Sequence, residues 1–224
     1  MLHIVATPIG NLEDITFRAL RILKEADLIL CEDTRHTKIL LDHYEIKTPI
    51  TSYHQHSKLN KINYIADLIR EGKNLALVTD AGTPCISDPG SKLINLLIEQ
   101  FPDLIINPIP GPSALISAAS ISGFGVDKFI FLGFLPLKKH RQKLLEEMAG
   151  AKYPVIFYES PYRVLKTLEE LKRLNLNRQI VVCRELTKKF ETVHRGNISE
   201  VLEKIKKDII KGEFVVIIDK NKDV

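Results

Sequence analysis

The sequence predicts two α/β domains, the first built on a mainly parallel sheet and the second on a mixed sheet. Its 224 residues exceed the usual size of one domain and are long enough to bury substantial cores. Short apolar runs alternate with helical patterns through the first half, which is typical of a parallel sheet. In the second half two predicted strands follow each other without a helix, which indicates a hairpin and therefore a mixed sheet.

Five strands are predicted in the first domain, each short and nearly all apolar, as expected when helices cover both faces of a sheet. They span residues 2–6, 28–31, 50–53, 75–79 and 104–106. Asp14 is predicted to cap the first helix, and a later helix is predicted to end at Gly72. Asp88 followed by Pro89 predicts the start of another helix.

The domain boundary is predicted at the two glycines of residues 122–127, which separate a domain of residues 1–123 from one of residues 124–224. Five further strands are predicted beyond it. They span residues 129–132, 155–158, 180–183, 192–195 and 214–218. One predicted helix begins at Ser160 and another precedes Gly212. Both domains are therefore predicted to be α/β, although they need not share a topology.

Composition and charge narrow the function classes without choosing among them. Lys and Arg number 32 against 28 Asp and Glu, and the formal net charge of +4 permits a polyanionic partner without demonstrating one. Cys31, Cys85 and Cys183 lie far apart without metal-ligand spacing, so we expect a reducing compartment, no disulfide and no zinc. The N-terminus lacks a signal-peptide pattern, and no apolar run reaches the roughly 18 residues of a membrane span, so a cytoplasmic protein is predicted.

Four polar loops follow predicted strands of the first domain, at the edge where open parallel sheets bind ligands. They are residues 7–11, 32–36, 78–90 and 108–113. The loop 78–90 is rich in glycine and proline, and it carries Asp80 and Thr83 as polar groups. Each loop alone is also compatible with ordinary turn or helix-entry chemistry, and only their coincidence at one edge favours a shared ligand site.

Several familiar sites are disfavoured by the sequence. No G-x-G-x-x-G follows a strand and no G-x-x-x-x-G-K-[ST] occurs, so a dinucleotide or ATP site of the usual kind is not expected. A G-x-S-x-G nucleophile elbow is also missing. His54 and His56 would share one face of a strand, but no carboxylate or cysteine nearby in sequence completes a metal site, and we expect none.

The second domain carries aromatic and basic segments. Residues 133–136 follow an aromatic strand, and residues 158–163 join a strand to a helix. These segments suit a wall for a flat heterocycle, although a plain core role for the phenylalanines is the simpler interpretation. The densest basic cluster lies at residues 138–143 and a second lies on a late helix, and each is either a nucleic-acid surface or a solvated face.

Seven segments, taken in order, resemble one family over essentially the whole chain. They are residues 6–12, 31–35, 78–90, 110–114, 133–136, 158–161 and 184–188, which read ATPIGNL, CEDTR, VTDAGTPCISDPG, PGPSA, GFLP, YESP and RELTK. This set resembles the bacterial 16S ribosomal RNA (cytidine 2′-O)-methyltransferases, which belong to the tetrapyrrole methylase superfamily. The chain departs from the family pattern at Gln55 and Ser57, where glutamate and asparagine are common, and at Tyr162, where histidine is common.

The resemblance implies S-adenosylmethionine as the cofactor, bound between a Rossmann-like N-terminal domain and the C-terminal domain, usually within a homodimer. It implies a ribose 2′-hydroxyl in the decoding region of 16S ribosomal RNA, in the small ribosomal subunit, as the acceptor. Neither DNA nor a membrane is expected as a partner. The cofactor contacts that it implies are Pro8, Gly10, Asp80, Ala81, Gly82, Thr83, Ile86, Ser113, Ala114, Tyr158 and Leu186.

For methyl transfer to a hydroxyl, alignment of donor and acceptor comes first and a general base assists. Asp33 and Glu159 are the predicted bases. Arg35 and Arg163 are the predicted orienting or phosphate-binding groups, although ion pairs and helix caps account for these residues equally well. The predicted RNA-docking residues are Lys138, Lys139, Arg141 and Lys143. Two alternatives stay open: a methyltransferase acting on a tetrapyrrole or another small molecule, and a noncatalytic RNA-binding module on the same fold.

Overall fold

The computed structural model describes residues 1–54, 59–174 and 178–221. The chain divides into two compact units, Met1–Ser113 and Ala114–Val224. Each unit has its own sheet with helices, so the predicted α/β class is confirmed. The division falls before residue 114 rather than after residue 123, because the helix that follows Ser113 packs against two strands of the second unit.

The first unit is a five-stranded parallel sheet with helices between its strands. In chain order its elements are β1 (Leu2–Val5), a 3-10 helix (Leu12–Asp14), α1 (Phe17–Glu25), β2 (Leu28–Cys31), α2 (Thr34–His43), β3 (Ile50–Ser52), α3 (Leu59–Arg70), β4 (Leu75–Leu77), α4 (Ser91–Gln100) and β5 (Ile106–Ile109). The strands lie in the order β3-β2-β4-β1-β5, and every neighbouring pair is parallel. The parallel sheet predicted from the alternating pattern is thus confirmed.

The inner strands β2 and β4 of the first unit are apolar on both faces because helices cover both faces. All four residues of β2 are buried. Ile29 and Cys31 pack in a cluster with α1 and α2, whereas Leu28 and Leu30 pack in a second cluster with α3 and α4. Burial on both sides accounts for the nearly continuous apolar runs from which these strands were predicted.

The register of β1 aligns its carboxyl end with those of its two neighbours. Ile4 pairs with Leu77 of β4, and Val5 pairs with Ile109 of β5. The loops that follow these three strands therefore begin side by side at one edge of the sheet. β5 begins at Ile106, two residues after the predicted start at residue 104. It includes Pro108, which is tolerated because β5 is an edge strand and one side of its backbone needs no sheet hydrogen bond.

Two predicted helix caps are wrong. α1 is capped by Thr16, whose hydroxyl accepts a backbone hydrogen bond at 3.1 Å, while Asp14 ends the separate 3-10 helix. α4 begins at Ser91 after Gly90, so Asp88 lies outside the helix and is not its cap. Gly90 takes this position because its φ of +140° is a conformation that L side chains rarely adopt.

The second unit is built on a five-stranded mixed sheet. Its elements are α5 (Ala114–Ile121), β6 (Ile130–Phe134), α6 (Arg141–Gly150), β7 (Val155–Glu159), α7 (Val164–Arg173), β8 (Gln179–Arg184), β9 (Thr192–Asn197), α8 (Ile198–Lys206) and β10 (Phe214–Ile218). The strand order is β6-β7-β10-β8-β9, with β6 and β7 parallel and the other pairs antiparallel. β8 and β9 form the predicted hairpin, and the mixed sheet is confirmed.

The core of the second unit is formed by its central strands and by helices α6, α7 and α8. Phe157, Val182 and Val216 lie in this cluster with apolar residues of the three helices. Their strand neighbours Ile156 and Ile217 are also fully buried, so this sheet too is covered on both faces. α5 packs against β7 and β10, which explains why it belongs to this unit.

Gly90→Ala is expected to destabilise the first unit more than Gly72→Ala. Both glycines have positive φ, +140° and +78°, so both substitutions strain the backbone. A Cβ at position 90 would lie 2.5 Å from the Cys85 Sγ, whereas one at position 72 would meet nothing within 4 Å. Overpacking therefore adds about 1–3 kcal/mol at position 90 only. Urea denaturation followed by circular dichroism measures the difference, and equal midpoints for the two variants would contradict it.

Candidate active site

Three loops at the carboxyl edge of the parallel sheet are joined by hydrogen bonds. The backbones of Thr7, after β1, and Gly82, after β4, exchange two hydrogen bonds of 2.9 and 3.0 Å. The Thr83 hydroxyl donates to the Pro112 carbonyl, after β5, at 3.2 Å. The buried Thr7 hydroxyl donates to the Thr79 carbonyl at 3.1 Å. The loops that the sequence predicts at one edge therefore meet there.

Glycine permits the close approach of these loops. A Cβ at Gly111 would lie 3.0 Å from the Ala6 Cβ, so a side chain there would push the loop after β5 away from β1. Gly82 has a φ of +84°, and a Cβ on it would lie 3.4 Å from the Ile9 side chain. Close packing of the loops therefore favours glycine at position 111, whereas the backbone conformation favours it at position 82.

A fourth loop, after β2, is tied to the same edge through Asp80. The Asp80 carboxylate accepts a hydrogen bond from the Asp33 amide at 3.2 Å and lies 3.7 Å from the His36 Nδ1. The neighbouring Thr79 hydroxyl donates to the Glu32 Oε2 at 3.4 Å. We call these four connected loops the strand-end rim; they comprise residues 7–11, 32–36, 78–90 and 110–113.

Asp33 is a helix cap and an ion-pair partner. It precedes α2, and its carboxylate accepts hydrogen bonds from the Arg35 amide at 2.8 Å and from the Arg35 Nε and Nη2 at 3.1 and 2.6 Å. These bonds lower the pKa of Asp33 to about 2. Because a carboxylate of such low pKa is a weak base at neutral pH, the geometry favours a capping role for Asp33 over the predicted role of general base.

Glu32 is a candidate general base that was not among the residues predicted from the sequence. Its side chain is only partly accessible to solvent, and burial raises the pKa of its carboxyl group. The Asp80 carboxylate adds to this rise, while the hydrogen bond from Thr79 opposes it. Its position in the sequence could have indicated this role, because Glu32 shares its polar loop with Asp33 and directly follows the buried strand β2.

The other predicted cofactor residues of the first unit belong to the strand-end rim and differ in exposure. Pro8 and Gly82 are buried, Ala81, Thr83 and Ser113 are half-buried, and Gly10 and Ile86 are exposed. Ala114 begins α5 and belongs to the second unit. The residues that the resemblance implies in the first unit therefore share one edge of one sheet.

Glu159, at the end of β7, is almost fully buried and is held by three donors. Its Oε1 accepts a hydrogen bond from the Ser160 amide at 2.8 Å and pairs with the Arg163 guanidinium at 2.8 Å. Its Oε2 accepts a hydrogen bond from the Thr167 hydroxyl at 2.8 Å. Arg163 also donates to the Leu135 carbonyl at 2.9 Å. These contacts are those of a structural ion pair that ties the loop after β6 to the start of α7.

The structure corrects the prediction for Arg141, which is not part of the exposed basic cluster. Its side chain is buried, and it donates to the Pro136 carbonyl at 3.0 Å and to the Thr167 hydroxyl at 2.8 Å. It also pairs with the Glu170 carboxylate at 2.7 Å. A guanidinium engaged in this way cannot reach an external phosphate. The exposed members of the cluster are Lys138, Lys139 and Lys143.

Tyr158 and Leu186 lie in the second unit, where β7 and β8 end. Tyr158 is half-buried, and its ring meets two phenylalanine rings of β6 edge-on, with centroid distances of 5.1 and 5.5 Å. Leu186 is buried in the turn that follows β8. Lys188 holds that turn by pairing with Glu185 and Glu213, each at 2.9 Å. The aromatic segment is therefore at least partly a packing element.

Among the described residues, no group of three or more His, Cys, Asp or Glu side chains is arranged to hold a metal ion. His54 is exposed, and His56, the other histidine of the disfavoured metal pair, lies outside the described residues. Over the same parts of the chain, no helix is both long and apolar enough to cross a bilayer.

The sequence matches known proteins over most of its length. Residues 1–202 match the family described as Tetrapyrrole (Corrin/Porphyrin) Methylases. A protein of Halalkalibacterium halodurans named ribosomal RNA small subunit methyltransferase I is 47% identical over 221 residues, which cover 98% of this chain and 76% of that relative. A protein of the same name from Thermotoga maritima is 44% identical over 217 residues, which cover 97% of each chain.

Solved structures of low sequence identity share the fold. The X-ray structure of a cobalt precorrin-4 methyltransferase has a TM-score of 0.72 at 18% identity, with 97% of this chain and 94% of that chain covered. The uroporphyrin-III-C-methyltransferase of Thermus thermophilus has a TM-score of 0.63 at 18% identity, with 96% and 93% covered. At this level of identity the likeness concerns the fold alone.

The Asp33 carboxyl group is expected to titrate near pH 2, and Arg35→Gln is expected to raise that midpoint, because hydrogen bonds from the Arg35 side chain are the largest cause of the lowered pKa. Since the folded pKa lies below the ordinary 3.8, the pair contributes stability that is present above that pH and is lost as the pH falls toward 2. Carboxyl carbon chemical shifts, followed by NMR through an acid titration, measure the midpoint.

The control for this titration is Arg70→Gln, which removes another solvent-accessible arginine from its partner Asp67 on α3. It should leave the Asp33 midpoint unchanged. An Asp33 midpoint that is the same in Arg35→Gln as in the unmodified protein would contradict the assignment.

Proposed function

The chain belongs to the tetrapyrrole methylase family, and on that premise we propose that it transfers a methyl group from S-adenosylmethionine to a cytidine 2′-hydroxyl of 16S ribosomal RNA. The observation that carries this proposal is the 44–47% identity, over nearly the whole chain, to proteins named ribosomal RNA small subunit methyltransferase I. The seven ordered motifs of the sequence support the finer choice of a cytidine ribose. Such an RNA substrate implies a cytoplasmic protein, and the resemblance implies a homodimer.

The strand-end rim has chemistry that suits S-adenosylmethionine, a cation that also carries an adenine ring and ribose hydroxyls. The Asp80 carboxylate attracts positive charge and accepts hydrogen bonds from hydroxyl donors. Ile86, which is 46% exposed, offers apolar surface to a flat ring. We assign cofactor binding in this unit to Pro8, Gly10 and residues 80–86. Ser113, Ala114, Tyr158 and Leu186 complete the set on the resemblance alone.

Proton transfer from the ribose hydroxyl is assigned to Glu32. When bound, S-adenosylmethionine supplies an electrophilic methyl group, whose transfer breaks a carbon–sulfur bond, forms a carbon–oxygen bond and leaves the electron pair on sulfur. The hydroxyl proton then needs an acceptor. Burial and the Asp80 carboxylate raise the pKa of Glu32, so its carboxylate is a stronger base than that of Asp33, whose pKa is lowered.

The two carboxylates predicted as bases are less suitable, because both are committed to other partners. Asp33 caps α2 and pairs with Arg35, and its pKa is about 2. Glu159 is buried beneath the start of α7 with three donors on its two oxygens. Arg163 neutralises Glu159 and supports a neighbouring loop, so its role is structural.

RNA docking is assigned to the exposed lysines of the second unit. Lys138, Lys139 and Lys143 lie within six residues of one another, and all three are exposed. Lysines at this density attract phosphates without reading sequence. Arg141, in the middle of the segment, is excluded by its buried partners.

Methyl transfer tests the proposed function. Purified protein, labelled S-adenosylmethionine and small ribosomal subunits without this modification should yield label at one cytidine of 16S ribosomal RNA. A 2′-O-methyl group protects the adjacent phosphodiester from alkaline cleavage, so alkaline mapping separates ribose from base methylation. Glu32→Gln should lower the single-turnover rate by about 10²- to 10⁴-fold with little change in cofactor affinity. Glu99→Gln, on the exposed face of α4, is the control.

Other outcomes would contradict specific parts of this proposal. Label in a tetrapyrrole in place of RNA would favour the small-molecule alternative. RNA binding without any methyl transfer would favour the noncatalytic module. Ribose methylation at an unchanged rate in Glu32→Gln would remove the base assignment and leave the reaction intact.

Replacing Lys138, Lys139 and Lys143 together with glutamine should weaken RNA binding and leave cofactor binding unchanged. Each lost phosphate contact lowers the slope of log K against log salt by about 0.7 for single strands, so the slope should fall by up to about 2. Fluorescence anisotropy with a labelled 16S fragment measures both quantities. A control that removes the same charge replaces Lys24, Lys47 and Lys152, which are exposed and lie outside both basic clusters. A triple variant with the unmodified salt slope would exclude this surface.

A further inference from the structure

Three large apolar side chains near the carboxyl ends of β6 and β7 are exposed. Tyr162 is 95% exposed, Leu137 is 71% exposed and Phe134 is 55% exposed. One exposed apolar residue is ordinary on a protein surface, whereas several on adjoining loops mark a binding surface.

The two loops that carry these side chains are neighbours. β6 and β7 are parallel, and Phe134 of β6 pairs with Tyr158 of β7, so the chain leaves both strands at the same edge. The Arg163 guanidinium, next to Tyr162 in the chain, donates to the Leu135 carbonyl at 2.9 Å. This hydrogen bond links the loop of Tyr162 to the loop of Leu137.

Two ion pairs with buried members, Arg163–Glu159 and Arg141–Glu170, hold these loops in place. Arg163 pairs with the buried Glu159 carboxylate, and Arg141 donates to the Pro136 carbonyl while pairing with Glu170. The Thr167 hydroxyl accepts from Arg141 and donates to Glu159, which joins the two ion pairs into one network. Loops held in this way are ordered before a ligand arrives, so binding costs them little conformational entropy.

We propose that this surface, formed by Phe134, Leu137, Tyr162 and the exposed Lys138 and Lys139, binds an unstacked base of single-stranded RNA with Tyr162 as the stacking platform. The inference rests on the proposed RNA substrate and adds to it how the strand is held. Aromatic rings beside lysines are the combination that single-stranded nucleic acids use, because bases stack on the ring and phosphates pair with the cations.

Charge favours RNA over a second copy of this chain as the occupant. If two copies met through this surface across a two-fold axis, the same patch would face itself. Lys138 and Lys139 of both copies would then lie in one interface, which concentrates like charge and is repulsive. A polyanion is attracted to the same lysines.

Tyr162→Ala should weaken binding of a single-stranded 16S fragment by roughly 5- to 150-fold without changing the salt slope, because it removes stacking and no charge. Tyr162→Phe should bind nearly as well as the unmodified protein, because the ring is retained. The matched control is Tyr153→Ala: Tyr153 lies before β7, at the opposite end of that strand, and also has a lysine beside its ring, with the Lys128 Nζ 6.0 Å from the centroid.

The chain contains no tryptophan, so Tyr162→Trp introduces a single fluorescent reporter of stacking. Its emission should be quenched when the RNA fragment binds, whereas the emission of Tyr153→Trp should not change. Affinity near that of the unmodified protein in Tyr162→Trp, together with quenching, supports the assignment. Binding without quenching overturns it.

The remaining outcomes separate this inference from the proposed function. If the unmodified protein methylates 16S ribosomal RNA and Tyr162→Ala binds the fragment equally well, the stacking role is wrong and the function stands. If Tyr162→Ala shifts sedimentation from dimer to monomer, the surface is an interface between copies and the inference is overturned. If the unmodified protein neither binds nor methylates the RNA, the proposed function itself fails.

Discussion

Thr7 and Gly82 exchange two backbone hydrogen bonds, and the arrangement of the first unit's loops depends on this pair. It extends the contact between β1 and β4 beyond the strands themselves, into the loops. The loop after β4 then reaches the loop after β5 through Thr83 and the loop after β2 through Asp80. The Thr7–Gly82 bonds join backbone atoms and therefore fix the chain path without using a side chain, whereas the links through Thr83 and Asp80 are made by their side chains.

The acidic residues of the two units have different roles because their surroundings differ. Hydrogen bonds from Arg35 lower the pKa of Asp33, which caps a helix, and Asp80 links two loops. Burial and the Asp80 carboxylate raise the pKa of Glu32. The almost fully buried Glu159 carboxylate is paired with the Arg163 guanidinium. A sequence motif shows that an acidic residue is present, but its basicity depends on partners that come from elsewhere in the chain.

Periodicity and strand-end loops made the α/β class, the parallel sheet and the β8–β9 hairpin predictable, because these follow from local patterns repeated along the chain. Details that depend on tertiary contacts were not predictable. Pro108 is tolerated because β5 lies at an edge of the sheet, and Gly90 displaces Asp88 as the helix cap because of backbone conformation. In the sequence, Arg141 is one more cation in a basic segment. Its burial depends on the acceptors Thr167 and Glu170, which α7 supplies from elsewhere in the chain.

The network that joins Glu159, Arg163, Thr167, Arg141 and Glu170 has a consequence for how this sequence can change over time. Removal of one member leaves a buried charge or donor without its partner, which is far more costly than replacing the whole set by apolar residues. Single substitutions at these positions are therefore strongly disfavoured, and divergence must pass through compensating changes. Among relatives, the five positions should therefore be retained or replaced as a group.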